Sequence, residues 1–406
     1  MGVSLVVQKY GGTSVADPER IRAVAENIVR SRRNSDVVVV VSAMGKETDD
    51  LIHLASQVSK NPPGREMDML ITAGERKATA LVVMALEELG CRAASFTGSQ
   101  AGFLTDTAHR NAKILEVRPD RIKEAIANGL VPVVGGAQGV STARDVTFLG
   151  RGGSDTTAVA LAATLDADAC ELYTDVSGVF NADPRVVSSA RRLTRLSFDE
   201  MLEMSATGCP KPEMRSVEFA RNHHVPLHVR SSFTWEPGTW VTEEDPTMEQ
   251  AIITAVTHDL SEAKLTVNAV PDSPGIAARL FRALADQSVN VDMIVQDVSH
   301  DGMTDISFTT PLEHVDAALG VANALAAEIG AGDVAADTHI GRVSLIGAGM
   351  KTHPGVAATM FETLAANAIN IEMISTSSIR ISCVVREDQV ENAVVKLHEA
   401  FKLDVA

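Results

Sequence analysis

The chain has 406 residues, and 36 Lys and Arg against 53 Asp and Glu leave a formal net charge of −17, with 45% hydrophobic and 22% charged residues. That composition excludes a wholly disordered or fibrous chain, and the length accommodates roughly two to four domains. The acidic balance argues against binding to nucleic acid or to an anionic membrane, and an aromatic content of 4% leaves few platforms for stacked bases.

The first nine residues show no basic region followed by a long apolar run, so no signal peptide is expected. Apolar runs such as residues 37–41 are too short to span a bilayer. Cys91, Cys170, Cys209 and Cys383 are widely spaced and form no Cys-x-x-Cys pair, which predicts buried thiols, a reducing cytoplasmic setting and no metal site.

Residues 5–8 predict a first strand, followed by Lys9-Tyr10-Gly11-Gly12-Thr13-Ser14. Two glycines there let backbone N–H groups approach a phosphate, and Lys9 adds a full positive charge, although a plain turn has the same composition and no Walker A pattern is present. Asp17 is placed to cap a helix with Pro18 at its first position and Ile21, Val24 and Ile28 on one face. The run 37–42 predicts a buried parallel strand, and it ends in Ser42-Ala43-Met44-Gly45 with Thr48 close behind.

A helical stretch from about Met67 to Gly90 contains Thr72-Ala73-Gly74-Glu75, where Glu75 is either a partner for an ammonium group or a solvated helix carboxylate. After a strand over 130–135 comes a second glycine-rich turn, Gly150-Arg151-Gly152-Gly153-Ser154-Asp155. It supplies a guanidinium suited to a carboxylate or phosphate and leads into residues 158–165, apolar nearly all round and therefore a buried helix. Residues 170–174 predict a strand ending in Tyr173-Thr174-Asp175, with Asn181 to Arg185 close behind as a plausible nucleotide pocket. Pro210-Lys211-Pro212 reads as a rigid turn, and residues 227–230 as a further strand. His223, His224 and His228 lack metal-ligand spacing. The alternation predicts an α/β domain, an αβα sandwich with a mostly parallel sheet.

The polar, Pro-containing segment 242–247 marks a linker. Beyond it the sequence repeats: Pro274-Gly275 corresponds to Pro354-Gly355, and the offset 354 − 274 = 80 also pairs Phe281 with Phe361, Leu284 with Leu364, Asn290 with Asn370 and Met293 with Met373. Each copy reads strand, turn, helix, strand, strand, helix, with the first copy's elements over 264–270, 274–287, 289–296, 304–309 and 314–328. Two such α+β modules behind a catalytic domain fit either regulation or assembly.

Together, Lys-Tyr-Gly-Gly-Thr-Ser at 9–14, Val-Ser-Ala-Met at 41–44, Thr-Ala-Gly-Glu at 72–75, Leu-Gly-Arg-Gly-Gly-Ser-Asp at 149–155 and Tyr-Thr-Asp-Val at 173–176 resemble the aspartate kinases. The repeats resemble paired ACT domains, with Ile-Ser-Thr-Ser at 374–377 typical of the second. The resemblance implies an amino-acid-kinase domain over 1–241, a linker over 242–250, a ferredoxin-like ACT domain over 262–338, and a second built from 251–261 and 339–406, with residues 251–256 lending it a strand.

It also implies transfer of the γ-phosphoryl of MgATP to the side-chain carboxylate of L-aspartate, the entry step to lysine, methionine and threonine. Lys9 and Asp155 are then catalytic; Lys9, Tyr10, Gly11, Gly12, Thr174, Asp175, Phe180, Arg185 and Lys211 serve the nucleotide. Ser42, Thr48, Glu75, Arg151, Gly152, Gly153 and Ser154 hold aspartate. Asp272, Gln296, Asp297, Thr304, Met350, His353, Ser377 and Ser378 lie at effector sites for lysine or threonine. Assembly as a homodimer or tetramer through ACT pairing is expected, and Met248 stands where relatives start a separate ACT subunit. A kinase for a related carboxylate, or an effector-binding subunit with weak catalysis, would share parts of this pattern.

The chain departs from the family in four places. Ser177 stands where Asp is usual and Phe180 where Tyr is usual; Cys209-Pro210 displaces the family's Lys by one position to Lys211; Gln296-Asp297 replaces Gln-Asn; and Ser377-Ser378 replaces Ser-Glu. The first two lead to an expectation of weaker or altered ATP binding, the last two of altered feedback, including insensitivity to lysine.

Overall fold

The computed structural model describes residues 4–244, 251–297 and 301–405. The chain forms two compact units, one comprising Met1–Val179, Arg192–Ser205 and Pro210–Met248, the other Phe180–Arg191, Ala206–Cys209 and Glu249–Ala406.

The first unit is built on an eight-stranded sheet ordered Arg195–Ser197, Thr239–Thr242, Leu227–Ser231, Ala169–Thr174, Ser4–Tyr10, Ser35–Val41, Val131–Gly135, Ala93–Phe96. Its pairings are parallel except that between Leu227–Ser231 and Thr239–Thr242. The central strands are runs of valine buried on both faces, as helices on either side require. On one face the helices Pro18–Ser31 and Gly64–Glu88 bury Ile21, Val24, Ile28, Ala78, Val82 and Leu86 against Val37, Val39 and Val41. On the other lies Gly153–Thr164, so apolar that Gly153 through Ala162 are all buried. Asp17 caps the first helix by accepting from the Arg20 N–H at 2.9 Å. The predicted central strands are all present, as is the long helix, running Gly64–Glu88. Four short strands, Phe103–Thr105, Ile114–Val117, Gln138–Ser141 and Val146–Phe148, form a sheet of their own that the sequence does not announce.

The first strand is the switch point of this sheet: the next strand, Ser35–Val41, pairs on one side of it and Ala169–Thr174 on the other. The loops leaving these carboxyl ends therefore diverge and leave a crevice. Side-chain alternation also divides the strand's duties. Gln8 is in register with Glu171, and Glu171 with His228. The Glu171 carboxylate accepts from Gln8 at 2.8 Å, Tyr173 at 3.1 Å and Arg230 at 3.1 Å, and lies 3.6 Å from His228 Nδ1. Tyr10 stacks on Tyr173 with ring centroids 4.8 Å apart, and its hydroxyl donates to Gln8 and accepts from Asn27. Lys9, between Gln8 and Tyr10, points to the opposite face.

The second unit holds two four-stranded antiparallel sheets, one ordered Ile294–Gln296, Met303–Pro311, Glu262–Pro271, Val334–Asp337, the other Ala255–Asp259, Ile340–Ile346, Arg380–Arg386, Met373–Thr376. The sequence repeat is structural: the helices Ile276–Asp286 and Val356–Ala366 are offset by 356 − 276 = 80. The second sheet takes its edge strand, Ala255–Asp259, from before the first module, a few residues later than the 251–256 expected from sequence. The strand expected over 289–296 shortens to Ile294–Gln296, and Val334–Asp337 is an addition. Arg342, 2% exposed, binds this unit internally through ion pairs to Asp259 at 3.4 Å, Glu262 at 3.2 Å and Asp292. Residues 245–250 of the expected linker, Met248 included, lie outside the described residues.

Burial alone would raise the Glu171 carboxyl, but His228, Arg230 and Gln8 outweigh it and lower the pKa from 4.5 to about 2. The resulting stability is present above pH ~4.5 and lost as pH falls through the folded value. Glu171→Gln is predicted to cost roughly 2–3 kcal/mol in urea unfolding at pH 7. The deficit should shrink steadily below pH 4.

Candidate active site

Lys9 sits near the end of the first strand with its ammonium 2.6 Å from Asp155 Oδ1, the two side chains only 7% and 3% exposed. Asp155 lies in the first turn of Gly153–Thr164, where the helix N-terminus favours an anion. Burial pushes its carboxyl up, but the ammoniums of Lys9 and Lys211 and the Glu213 N–H outweigh this and hold it below the usual range. Lys211, displaced by one position in sequence, thus still brings its charge to bear on Asp155.

Glycines shape the backbone around this pair. A Cβ on Gly12 would stand 2.8 Å from the Ala43 carbonyl and 2.9 Å from that of Gly45, so the loops after the first and second strands meet only because residue 12 has no side chain. The Gly45 N–H donates to the Gly12 carbonyl at 2.9 Å, and the Gly11 N–H to Tyr173 at 3.2 Å. Gly152 has φ +68, and a Cβ there would strike Glu213 Cγ at 2.2 Å. Ser154, 7% exposed, lies beside Gly136.

A second polar cluster adjoins the loop after Ser35–Val41. Glu75 is 2% exposed; its carboxylate receives the Ala43 N–H, and its Oε2 has no hydrogen-bond partner. Desolvation by burial raises its pKa from 4.5 to about 7 against the opposing N–H bonds, and neighbouring Glu47 adds to the rise. Ser42 precedes Ala43 and Thr48 follows Glu47, both half-buried. Arg151 is 95% exposed, and its guanidinium is 3.9 Å from Asp49, next to Thr48. Ser42, Thr48 and Glu75 are thus brought together in one neighbourhood, and Arg151 stands at its solvent side rather than inside it.

The remaining expected residues are dispersed. Tyr10 is fully buried with its hydroxyl engaged by Gln8 and Asn27 and its carbonyl accepting from the Ser42 N–H at 3.1 Å, so it serves the core. Thr174 ends its strand and donates to the Asp175 carboxylate at 3.0 Å, with Asp175 exposed. Phe180 and Arg185 fall in the second unit, where Arg185 pairs with Asp183 at 2.6 Å. The effector set separates by module. In the first, Thr304 donates to the Asp297 carbonyl at 2.7 Å, and Asp272 and Gln296 are exposed. In the second, His353 Nδ1 bonds the Gly349 carbonyl at 2.8 Å, the His353 N–H donates to Met350, and Ser377 bonds Arg380 through the backbone beside exposed Ser378.

Sequence reading missed Glu213 and Glu47. Glu213 carries the signal of a helix cap, since its side chain accepts from the Ser216 N–H, but nothing in the sequence ties it to Asp155. Glu47 looks like any acidic residue in a first helical turn.

A profile of the Amino acid kinase family matches residues 4–231, and ACT domain profiles match 265–330 and 343–401. The aspartokinase of Mycolicibacterium smegmatis is 58% identical over 99% of this chain and 97% of its own length, and that of Corynebacterium glutamicum 54% over the same shares. The chain belongs to the aspartokinase family. Among solved structures, E. coli aspartokinase III in complex with aspartate and ADP superposes with a TM-score of 0.83 at 25% identity, over 98% of this chain and 99% of that one. The aspartokinase fold accounts for both the parallel sheet and the two antiparallel modules.

Replacing Lys9 alone leaves Asp155 as a buried anion short of its nearest cation. Lys9→Met is predicted to cost roughly 3 kcal/mol in denaturant unfolding. The double variant Lys9→Met/Asp155→Leu should recover most of that loss, because it removes both charges.

Proposed function

We propose that this aspartokinase transfers the γ-phosphoryl of ATP to the side-chain carboxylate of L-aspartate, giving 4-phospho-L-aspartate and ADP at the entry to lysine, methionine and threonine synthesis. The observation that carries the reading is the buried Lys9–Asp155 pair at the sheet's switch point, behind a two-glycine loop and next to the loop whose Ala43 N–H holds Glu75.

The acceptor carboxylate is ionised at neutral pH, so the reaction needs no general base. The difficulty is to hold two anions together while negative charge shifts toward the leaving ADP. Lys9 sits where a full positive charge meets the transferring phosphoryl, and Asp155 keeps the ammonium oriented. The Gly12 backbone N–H donates to phosphate, with Tyr10 and Gly11 fixing the loop that carries it, Lys211 adds a second ammonium, and Thr174 and Asp175 serve the nucleotide. Glu75 takes the α-ammonium of aspartate, and Arg151 closes on its α-carboxylate beside Ser42, Thr48, Gly152, Gly153 and Ser154. Mg2+ comes with the nucleotide and supplies charge neutralisation across its phosphates. The exposed Asp175 carboxylate beside the Thr174 hydroxyl is a hard oxygen donor suited to that ion.

Lysine and threonine are the proposed effectors of the ACT modules, with Asp272, Gln296, Asp297 and Thr304 serving one and Met350, His353, Ser377 and Ser378 the other. Asp297 adds a carboxylate and Ser378 removes one from where a cationic lysine would be held, which supports altered feedback, including insensitivity to lysine. The edge strands Ile294–Gln296 and Met373–Thr376 carry exposed Ile294 and Ile374, which supports homo-oligomer pairing through these edges. A cytoplasmic location fits four free cysteines, and among the described residues no helix is long and apolar enough to cross a membrane.

With ATP and hydroxylamine, aspartate is predicted to yield the hydroxamate and glutamate to fail; no signal with either would leave only effector binding. Lys9→Ala should lower kcat/KM at least about 100-fold, equivalent to roughly 3 kcal/mol. Titrating lysine and threonine singly and together should give weak inhibition, and strong concerted inhibition would refute the feedback reading.

A further inference from the structure

The acidic subsite contains a second carboxylate that the family pattern does not assign. Glu47 opens the helix Glu47–Val58 and reaches over Gly74, where a Cβ would lie 3.4 Å from both its Cδ and its Oε2. The next residue on that neighbouring helix is Glu75. Glu47 Oε2 and Glu75 Oε2 are both buried atoms without a hydrogen-bond partner. Glu47 Oε1 is held by Lys77 at 2.5 Å, whose side chain is 52% exposed. Two carboxylates on neighbouring helices, near enough for Glu47 to act on Glu75, thus each leave a buried acceptor oxygen unused, with Lys77 as the half-exposed counter-ion of Glu47.

The other charges in play are few. Arg76, on the helix of Glu75, acts in the opposite sense to Glu47, and the Ala43 N–H donates from the loop after the second strand. Nearer the start of this helix Asp68 pairs with His109 at 2.7 Å and Arg65 with Asp145 at 2.7 Å. Apolar contacts come from Ile21 and Val24 of the first helix, Val131 and Val133 of the sheet, and Phe148 of the small sheet.

We propose that Glu47 is a positioning residue of the amino-acid subsite: its carboxylate reinforces the burial that keeps a proton on Glu75 while the subsite is empty, and the α-ammonium of the arriving amino acid displaces that proton. The exchange balances. Protonated Glu75 and a free ammonium become a carboxylate–ammonium pair, and one proton passes to the solvent. Two like charges at this separation from water resist joint ionisation until a cation arrives. Lys77 tunes the exchange by partly neutralising Glu47. The inference rests on the assignment of Glu75 to the α-ammonium.

The test is the pH profile of kcat/KM for aspartate from pH 5.5 to 8.5 in the full-length enzyme and in Glu47→Gln, Lys77→Met and Glu75→Gln. The wild type should rise to a plateau with a break near the Glu75 value of about 7, a window in which aspartate itself does not titrate. Glu47→Gln should move the break down by roughly half a unit or more, and Lys77→Met should move it up. A loss of packing alone does not produce opposite shifts. Calorimetry of aspartate binding in two buffers of different ionisation enthalpy should show proton release at pH 6.5 in the wild type and less in Glu47→Gln. Breaks unmoved by Glu47→Gln and Lys77→Met, in an enzyme whose break Glu75→Gln abolishes, would overturn the role of Glu47 and leave the aspartate reading standing. A Glu75→Gln enzyme with unchanged KM and unchanged break would overturn the subsite and the proposal together.

Discussion

A buried ammonium must be paired, and that requirement at Lys9 organises the first unit. Taking a lysine and an aspartate out of water costs several kcal/mol per ion, and their attraction repays it only with good geometry. Apolar residues would fill the same space at no such cost. The pair is therefore understood through what it offers an arriving anion: a cation already desolvated and oriented, on a strand hydrogen-bonded on both sides. Fixing it requires Asp155 at the start of a helix apolar enough to lie wholly inside the domain, and that helix in turn requires the sheet to be covered on both faces.

The sheet separates two kinds of polarity by the simple alternation of a strand. Gln8 and Tyr10 join a ladder with Glu171, Tyr173, Arg230 and His228 in which the Glu171 carboxylate is satisfied several times over. That face is structural. On the other face Lys9 has Asp155. Beyond the strand ends, on the helix Gly64–Glu88, Glu75 Oε2 is left unpartnered. Satisfied polar groups stiffen the platform, and the unsatisfied one marks where a ligand completes the bonding.

Much of this was legible from the sequence because buried parallel strands announce themselves as valine runs and the helix of residues 18–31 by its cap and spacing. The repeat of 80 residues gave the two modules directly. What stayed hidden was local or long-range. Strands of three or four residues, such as Phe103–Thr105, are too short to show a period, and Val334–Asp337, which lies 80 residues after the edge strand Ala255–Asp259 and pairs in the same register, carries no motif that announces it. In the site, Lys9, Asp155 and Glu75 stood out by motif, whereas Glu213 and Glu47 did not, because their importance comes from a neighbour distant in sequence. Tyr10 and Arg151 show what motif membership leaves open: the fold buries the side chain of one and leaves that of the other in solvent.

The strand Ala255–Asp259 precedes the first module in sequence but belongs to the sheet of the second. In topological terms the first module is an insertion within the second. No single cut separates them: one between them strips the second sheet of an edge, and one before them takes both. Met248 precedes that strand in sequence, so a message read from there would carry the nested pair entire. The two effector modules are thus bound to a common inheritance by the path of the chain itself, whatever their individual ligands.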